Sequence, residues 1–324
     1  MDQSQYNQYK TIGLVLPYFG STPNYFEFFI KSCENNPTID FLVFTDQEIA
    51  ESPPNVHVIK ILFDDFKTEL QQAFPFSLTH LRTPYNLCDF KPAYGYALQK
   101  YLAKYHYWGH CDCDLIWGDI RTFITNEILD NYDRILTRGH LTIYRNNTFS
   151  NTMFMSRCDS IPYYEDVYQS SPELAWAFDE WNGTSRIWQQ LQPDRVFDGI
   201  IYDDIDCGKK EFVSSQRRRF NIEPNKRIGC YRKCGNKLFR CGWNITDGTY
   251  CEAETLYAHF QKRRFNIFTH NTSQYLIVPN RFIPIENVTL EKVMCWGHRR
   301  LFYYDALKRR LRCGFQKIYQ AKFR

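Results

Sequence analysis

Long hydrophobic runs are missing from this 324-residue chain. No stretch approaches the roughly 20 consecutive apolar residues of a spanning helix, which predicts a soluble body. The opening Met1-Asp2-Gln3-Ser4-Gln5 is polar, with no basic n-region, apolar h-region or cleavage site. Nothing there marks the chain for export, and a cytoplasmic setting is expected. Internal repeats and low-complexity linkers are also absent, which predicts one domain over 1–298 followed by a basic tail over 299–324. Charge imbalance is slight over the whole chain: 40 Lys and Arg stand against 36 Asp and Glu, for a net charge of +4. With no DNA- or RNA-reading motif beside it, that balance excludes a nucleic-acid partner and weighs against a non-catalytic basic binding module.

Cysteine is plentiful, at 12, but the close C-x₂-C pairs of common structural zinc sites are not found. Cys230, Cys234, Cys241 and Cys251 are too widely and unevenly spaced. Without a secretory signal the thiols are expected to be free, and the sequons at Asn146, Asn182, Asn244, Asn271 and Asn287 to be chance.

What is present suits a packed α/β core: 44% hydrophobic residues, with 17% aromatic. Residues 11–19 read as a buried strand ending at Pro17 and Gly20. Residues 25–35 have helical spacing, and the runs 39–44 and 56–62 are further short buried strands. This β-α-β opening places Pro17, Tyr18, Thr45 and Asp46 on the rim where parallel strands end and ligands bind. A helix is expected over 91–105, then a strand, then His110-Cys111-Asp112-Cys113-Asp114. Strand patterns follow over 135–155, a helix-rich stretch over 160–190, and a hairpin or meander over 227–254. Asp203-Asp204-Ile205-Asp206 offers a second acidic site or, as the plainer reading, a solvated loop.

The chemistry concentrates in Asp112-Cys113-Asp114. Alternate residues of an extended segment point the same way, so the two carboxylates offer hard oxygen ligands to one divalent cation, with Asp119 close behind. Mg²⁺ or Mn²⁺ takes one or two protein carboxylates and fills its other positions with water and phosphate oxygens, which suits a nucleotide-diphosphate substrate. A phosphohydrolase of the Asp-x-Asp type is the rival enzyme class. Its motif normally follows the first strand and precedes a threonine or valine, whereas here three strands precede and Leu115 follows.

Several segments recur together in order and spacing: Pro17-Tyr18-Phe19-Gly20, Phe44-Thr45-Asp46, Asn86-Leu87-Cys88-Asp89-Phe90-Lys91-Pro92-Ala93-Tyr94-Gly95, Trp108 through Asp114, Gly139-His140-Leu141 through Arg145-Asn146, Phe178-Asp179-Glu180 and Ala258-His259-Phe260-Gln261-Lys262-Arg263. Over about residues 11–265 this set resembles a group of GT-A-type glycosyltransferases encoded with capsule and surface-polysaccharide genes. The resemblance implies a Rossmann-like mixed α/β sheet flanked by helices, a nucleotide-sugar donor such as a UDP-sugar, Mn²⁺ or Mg²⁺, and a glycan or lipid-linked acceptor. The residues fit that implication physically in particular roles. Asp114 would ligate the metal directly; Asp112 would share it or hold the ribose, and His259 would add a ligand. Pro17, Tyr18, Phe19, Thr45 and Asp46 would line the nucleotide, Asp89 and Lys91 would contact the donor, and Lys262 and Arg263 its phosphates. For an inverting transfer, Asp179 or Glu180, set among Trp176, Phe178 and Trp181, would take the acceptor proton; in a retaining transfer they would instead hold the acceptor. Each has a plainer alternative: a core histidine at 259, a solvated basic face at 262–264, a helix N-cap at Asp89, and a solvated helix face at 179–180.

From Arg299 to Arg324 nine Lys or Arg face one acidic residue, interleaved with aromatic and aliphatic residues. On a helix this is a basic amphipathic stripe, suited to an anionic inner membrane leaflet or to packing back on the domain.

Overall fold

The computed structural model describes residues 9–49, 52–261 and 263–298. Lys262 and the 299–324 tail, with its expected basic helix, lie outside the described residues. Two compact units are drawn from the chain. The first takes the segments Met1–Thr22, Asn36–Cys113 and Ile124–Gly199, and the second Pro23–Asn35, Asp114–Phe123 and Ile200–Arg324.

The first unit is built on a seven-stranded mixed sheet, the Rossmann-like architecture expected from the sequence. Its order is Val56–Lys60, Ile39–Thr45, Ile12–Pro17, Tyr107–Cys111, Leu141–Arg145, Arg134–Arg138 and Val196–Phe197. The first four are mutually parallel, with Ile12 opposite both Ile39 and Tyr107, and Leu141–Arg145 runs antiparallel to Tyr107–Cys111. Burial on both faces explains why Ile12–Leu16 and Phe41–Thr45 are almost unbroken apolar runs. Phe66, Phe90, Tyr94, Trp108, Tyr168 and Trp188 fill the helical side, and Phe90 stacks on Tyr168 at 4.2 Å between ring centroids.

The stretch expected as one helix over 91–105 is several short pieces: Leu87–Phe90, a 3₁₀ turn at Lys91–Ala93, Tyr94–Ala97 and Gln99–Leu102. Pro92 lacks an amide hydrogen and cannot continue an α-helical ladder from the preceding turn. Phe90, not Asp89, caps the 3₁₀ turn.

The second unit holds a six-stranded sheet ordered Tyr250–Glu254, Lys237–Asn244, Lys226–Cys234, Gln274–Val278, Arg281–Pro284 and Asn266–Ile267. Its first three strands form the expected antiparallel meander. The Phe26–Glu34 helix belongs to this unit although it follows the first strand in sequence. Phe28 and Phe29 are buried, with Phe28 packed on Tyr275 and Phe282 at 4.9 and 4.8 Å. Its Ser32 hydroxyl accepts a hydrogen bond from the Trp117 amide. The Leu290–His298 helix contributes Val293 and Trp296 to a cluster with Cys230, Cys241 and Trp243. A second, small sheet aligns Leu115–Trp117, Tyr257–His259 and Asp203–Asp204. The acidic run read as a solvated loop is therefore corrected at its start: Asp203 and Asp204 are buried strand residues. Asp203 is tolerated there because Arg217 and Arg240 pair with it. Among the described residues the cysteines are free, and no helix is long and apolar enough to cross a membrane.

Candidate functional site

In the first unit the parallel strands deliver their C-terminal ends to one rim. Pro17, Tyr18 and Phe19 leave one strand, and Thr45 and Asp46 leave its neighbour. The Tyr18 amide donates to Phe44 O at 2.8 Å and the Gly20 amide to Asp46 Oδ1 at 3.2 Å, so the two strand ends are tied together. Asp46 also accepts from Gln47 Nε2 at 2.8 Å; that bond and the Gly20 amide outweigh slight desolvation and hold its carboxyl below the usual range. Phe19 turns inward against Phe63 and Phe66, and Thr45 is buried with its hydroxyl accepting from the Gln47 amide. Tyr18 and Asp46 remain partly exposed.

On the same unit, Lys91 is buried, and its ammonium donates to Asp112 Oδ1 and to Gly139 O, each at 2.7 Å. Asp179 Oδ2 lies 3.7 Å from the same nitrogen. Burial disfavours the charged lysine, but Asp112, with Asp179 adding, overcomes that and raises Lys91 well above its ordinary value. Burial raises Asp179 well above the carboxylate range. Lys91 opposes the shift, and Glu180, Asp89 and Asp112 add to it. Glu180 Oε1 accepts from the Gly139 amide at 2.6 Å. Gly139 is the floor of this cluster: a Cβ there would stand 2.5 Å from Asp179 Oδ2 and 3.0 Å from Glu180 Oε1. Residues 178–183 form turns instead of the solvated helix face of the plainer alternative. Of the expected aromatic platform, Phe178 is core and Trp176 donates to Ser170 Oγ, while Trp181 is 57% exposed.

In the second unit His259, on the central strand of the small sheet, lies between two carboxylates. Its Nε2 is 3.1 Å from Asp114 Oδ1 and its Nδ1 is 2.8 Å from Asp204 Oδ1. The backbone sets this up: His259 pairs with Leu115, the residue after Asp114, on one side and with Asp204 on the other. Burial alone would lower the imidazole; the carboxylates of Asp114 and Asp204 outweigh it and raise His259 well above its usual range. With Nδ1–H directed at Asp204, a neutral ring would turn the Nε2 lone pair on a carboxylate oxygen, two acceptors face to face. That arrangement requires a cation between or beside them. A proton meets the requirement, and so does a divalent metal taking one nitrogen and one oxygen ligand.

Three of the expected residues have internal partners. Asp89 is buried and spent internally, accepting from His80 Nε2 at 3.0 Å and from the Phe178 amide at 2.8 Å. Arg263 is buried and donates to the carbonyls of Lys210, Pro279, Asp206 and Lys209, a backbone clamp in place of a phosphate contact. Asp119, placed behind the Asp-x-Asp pair as a further carboxylate, accepts from the Arg121 and Thr122 amides and from Asn236 Nδ2. Asp204 is not singled out by the sequence, which offers the acidic run 203–206 only as a whole. Nothing local separates it from its acidic neighbours, since its partner is 55 residues further along the chain.

No curated protein matches the chain in sequence. Among solved structures it is similar to the apo form of the Streptococcus pneumoniae TIGR4 glycosyltransferase GlyE, at 11% identity over 90% of this chain and 61% of that one, with a TM-score of 0.40. Similarity to the galactosyltransferase LgtC, solved with donor and acceptor sugar analogs, is 10% over 60% and 75%, with a TM-score of 0.34. For the bifunctional WbbM it is 9% over 62% and 40%, with a TM-score of 0.35. At such values a functional reading has to rest on the side chains. The family model that does match spans residues 14–286, and the chain belongs to that family, the family of unknown function DUF6625.

Proposed function

We propose that this protein is a metal-dependent glycosyltransferase, moving a hexose from a nucleotide-diphosphate sugar, a UDP-sugar, to a glycan or lipid-linked acceptor in surface-polysaccharide assembly. The observation that carries the reading is the His259 imidazole with Nε2 set against Asp114, a nitrogen–oxygen pair that calls for a cation. Asp112, two residues before Asp114, is the second carboxylate of the motif. When bound, Mn²⁺ or Mg²⁺ would neutralise charge on the departing diphosphate.

The protein's own residues supply the remainder. The rim at Tyr18 and Asp46 receives the nucleoside, with Asp46 accepting from a ribose or uracil donor. Lys91 holds Asp112 in place and compensates the buried Asp179. Asp179 takes the acceptor hydroxyl proton; its raised affinity for a proton suits that task. Glu180, fixed by the Gly139 amide, orients the acceptor, and the exposed ring of Trp181 offers an apolar face for a sugar to stack on. The basic tail is proposed to hold the protein at the cytoplasmic face of an anionic membrane. Co-sedimentation of the whole protein and of a form ending at residue 298 with anionic vesicles tests that contact; equal, negligible binding would refute it.

The functional test is a thermal-shift screen of nucleotide sugars with and without Mn²⁺. A UDP-sugar that raises the melting temperature only when Mn²⁺ is present is the expected result. Indifference to every nucleotide sugar under both conditions would end the reading.

A further inference from the structure

We propose that Asp204 is a positioning residue for the metal centre. Its carboxylate holds the His259 ring with Nδ1 as donor and Nε2 as ligand, so that metal affinity depends on a group that does not itself touch the metal. The inference rests on the reading of Asp114 and His259 as metal ligands.

The arrangement around Asp204 is built from three directions. Strand pairing sets it beside His259 in parallel register, and Ile205 N donates to His259 O at 2.8 Å, fixing the two backbones. Asp204 Oδ1 accepts both from His259 Nδ1 at 2.8 Å and from Gln261 Nε2 at 2.6 Å. Oδ2 accepts from Gln216 Nε2 at 3.2 Å, out of the Ser215–Arg219 helix. Two neutral amides thus orient the carboxylate toward the imidazole. The adjacent Asp203 shows the contrast. It faces the guanidinium groups of Arg217 and Arg240 and serves as an internal ion pair. Successive strand residues point to opposite sides, so one acid anchors the strand and the next reaches the histidine.

The chemistry follows from imidazole's two nitrogens. A carboxylate on Nδ1–H fixes the tautomer, stops the ring from turning and raises electron density at Nε2; losing such a partner typically costs about 10–100-fold in metal affinity. A purely structural Asp204 would instead affect folding and leave the metal constant of the folded protein alone.

The test is Mn²⁺ titration in the presence of UDP, read by the electron paramagnetic resonance signal of free Mn²⁺, on the wild type and on Asp204→Asn, Asp114→Asn and Gln261→Leu. Asp204→Asn keeps the shape but loses the charge. It should weaken Mn²⁺ binding about 10–100-fold and raise the KM for Mn²⁺ more than it lowers kcat. Gln261→Leu should shift the same constant less and in the same direction, and it carries the test if Asp204→Asn does not fold. Wild-type Mn²⁺ affinity in folded Asp204→Asn, or in Gln261→Leu should the former not fold, overturns the positioning role if Asp114→Asn abolishes binding, and the metal reading then survives. Wild-type affinity in Asp114→Asn as well removes the metal reading and the positioning role together.

Discussion

Two clusters of acids, one in each unit, gather around different basic groups. In the first unit Asp112 and Asp179 gather around the ammonium of Lys91. In the second, Asp114 and Asp204 gather around the imidazole of His259. The Lys91 ammonium is held to its proton by the carboxylates around it, which raise it well above its ordinary value. An imidazole nitrogen that gives up its proton can ligate a metal ion, and this is the role proposed for His259 Nε2. The first cluster is therefore read as a fixed frame for the reacting groups, and the second as the place where a cation is taken up.

Lys91→Met breaks the frame most severely. It leaves two carboxylates without their shared cation, one of them fully buried, and should cost about 3–5 kcal/mol of stability in urea unfolding. Loss of well under 1 kcal/mol would show that the acids do not need the lysine.

Arg263→Met sharpens the distinction between a clamp and a ligand. With four backbone carbonyls losing a charged donor, stability should fall by about 2–3 kcal/mol. Affinity for UDP and Mn²⁺ in the folded fraction should hardly change. A large loss of nucleotide affinity at unchanged stability would restore Arg263 as a phosphate contact.

Gly139→Ala probes the geometry of the frame. The added methyl would press on Asp179 and Glu180, at a cost of about 1–3 kcal/mol, and turnover should drop further than UDP affinity. Equal losses in both would detach these acids from the acceptor side of the reaction.

The smallest effect is expected at Lys233, whose ammonium group is buried against the carbonyls of Trp117 and Asn236, the nearer at 2.6 Å. Burial lowers it to about 7, against weaker support from Cys33 and Asp119. The sign follows from proton counting. Between about pH 7 and the ordinary lysine value near 10.5 the unfolded chain binds the proton and the folded protein does not, so stability rises with pH across that window. Lys233→Met should remove a slope of up to about 1.4 kcal/mol per pH unit. An unchanged pH profile would mean the amine is charged in the folded protein.

The contrast between the units also explains what could be read from the sequence. The strands at Ile12–Pro17, Ile39–Thr45 and Val56–Lys60 were legible because each is a short apolar run bounded by turn residues, and the rim at Tyr18 and Asp46 followed from the parallel order. The meander was legible from its turns, Cys234-Gly235-Asn236 among them. What was not legible depends on distant segments. Phe26–Glu34 has the spacing of a crossover helix, yet its buried face meets Tyr275 and Phe282, some 250 residues away. Asp203 and Asp204 read as solvated because their neutralising partners, Arg240 and His259, come from other strands. Arg263 sits in a basic run whose composition suggests phosphate, but tertiary placement commits it to backbone carbonyls. At the candidate site the residue types were legible, whereas their division between frame and exchangeable cation required the fold.

Asp114 and His259 are proposed to form a cation-binding pair serving a nucleotide-diphosphate donor. Isothermal titration of UDP into the wild type and into Asp114→Asn, each with and without Mn²⁺, addresses it directly. Mn²⁺ should strengthen UDP binding to the wild type by more than about 10²-fold, and folded Asp114→Asn should lose this gain, since removing a ligand should exceed the loss from a supporting residue. Equal enhancement by Mn²⁺ in both proteins, or none in the wild type, would contradict it.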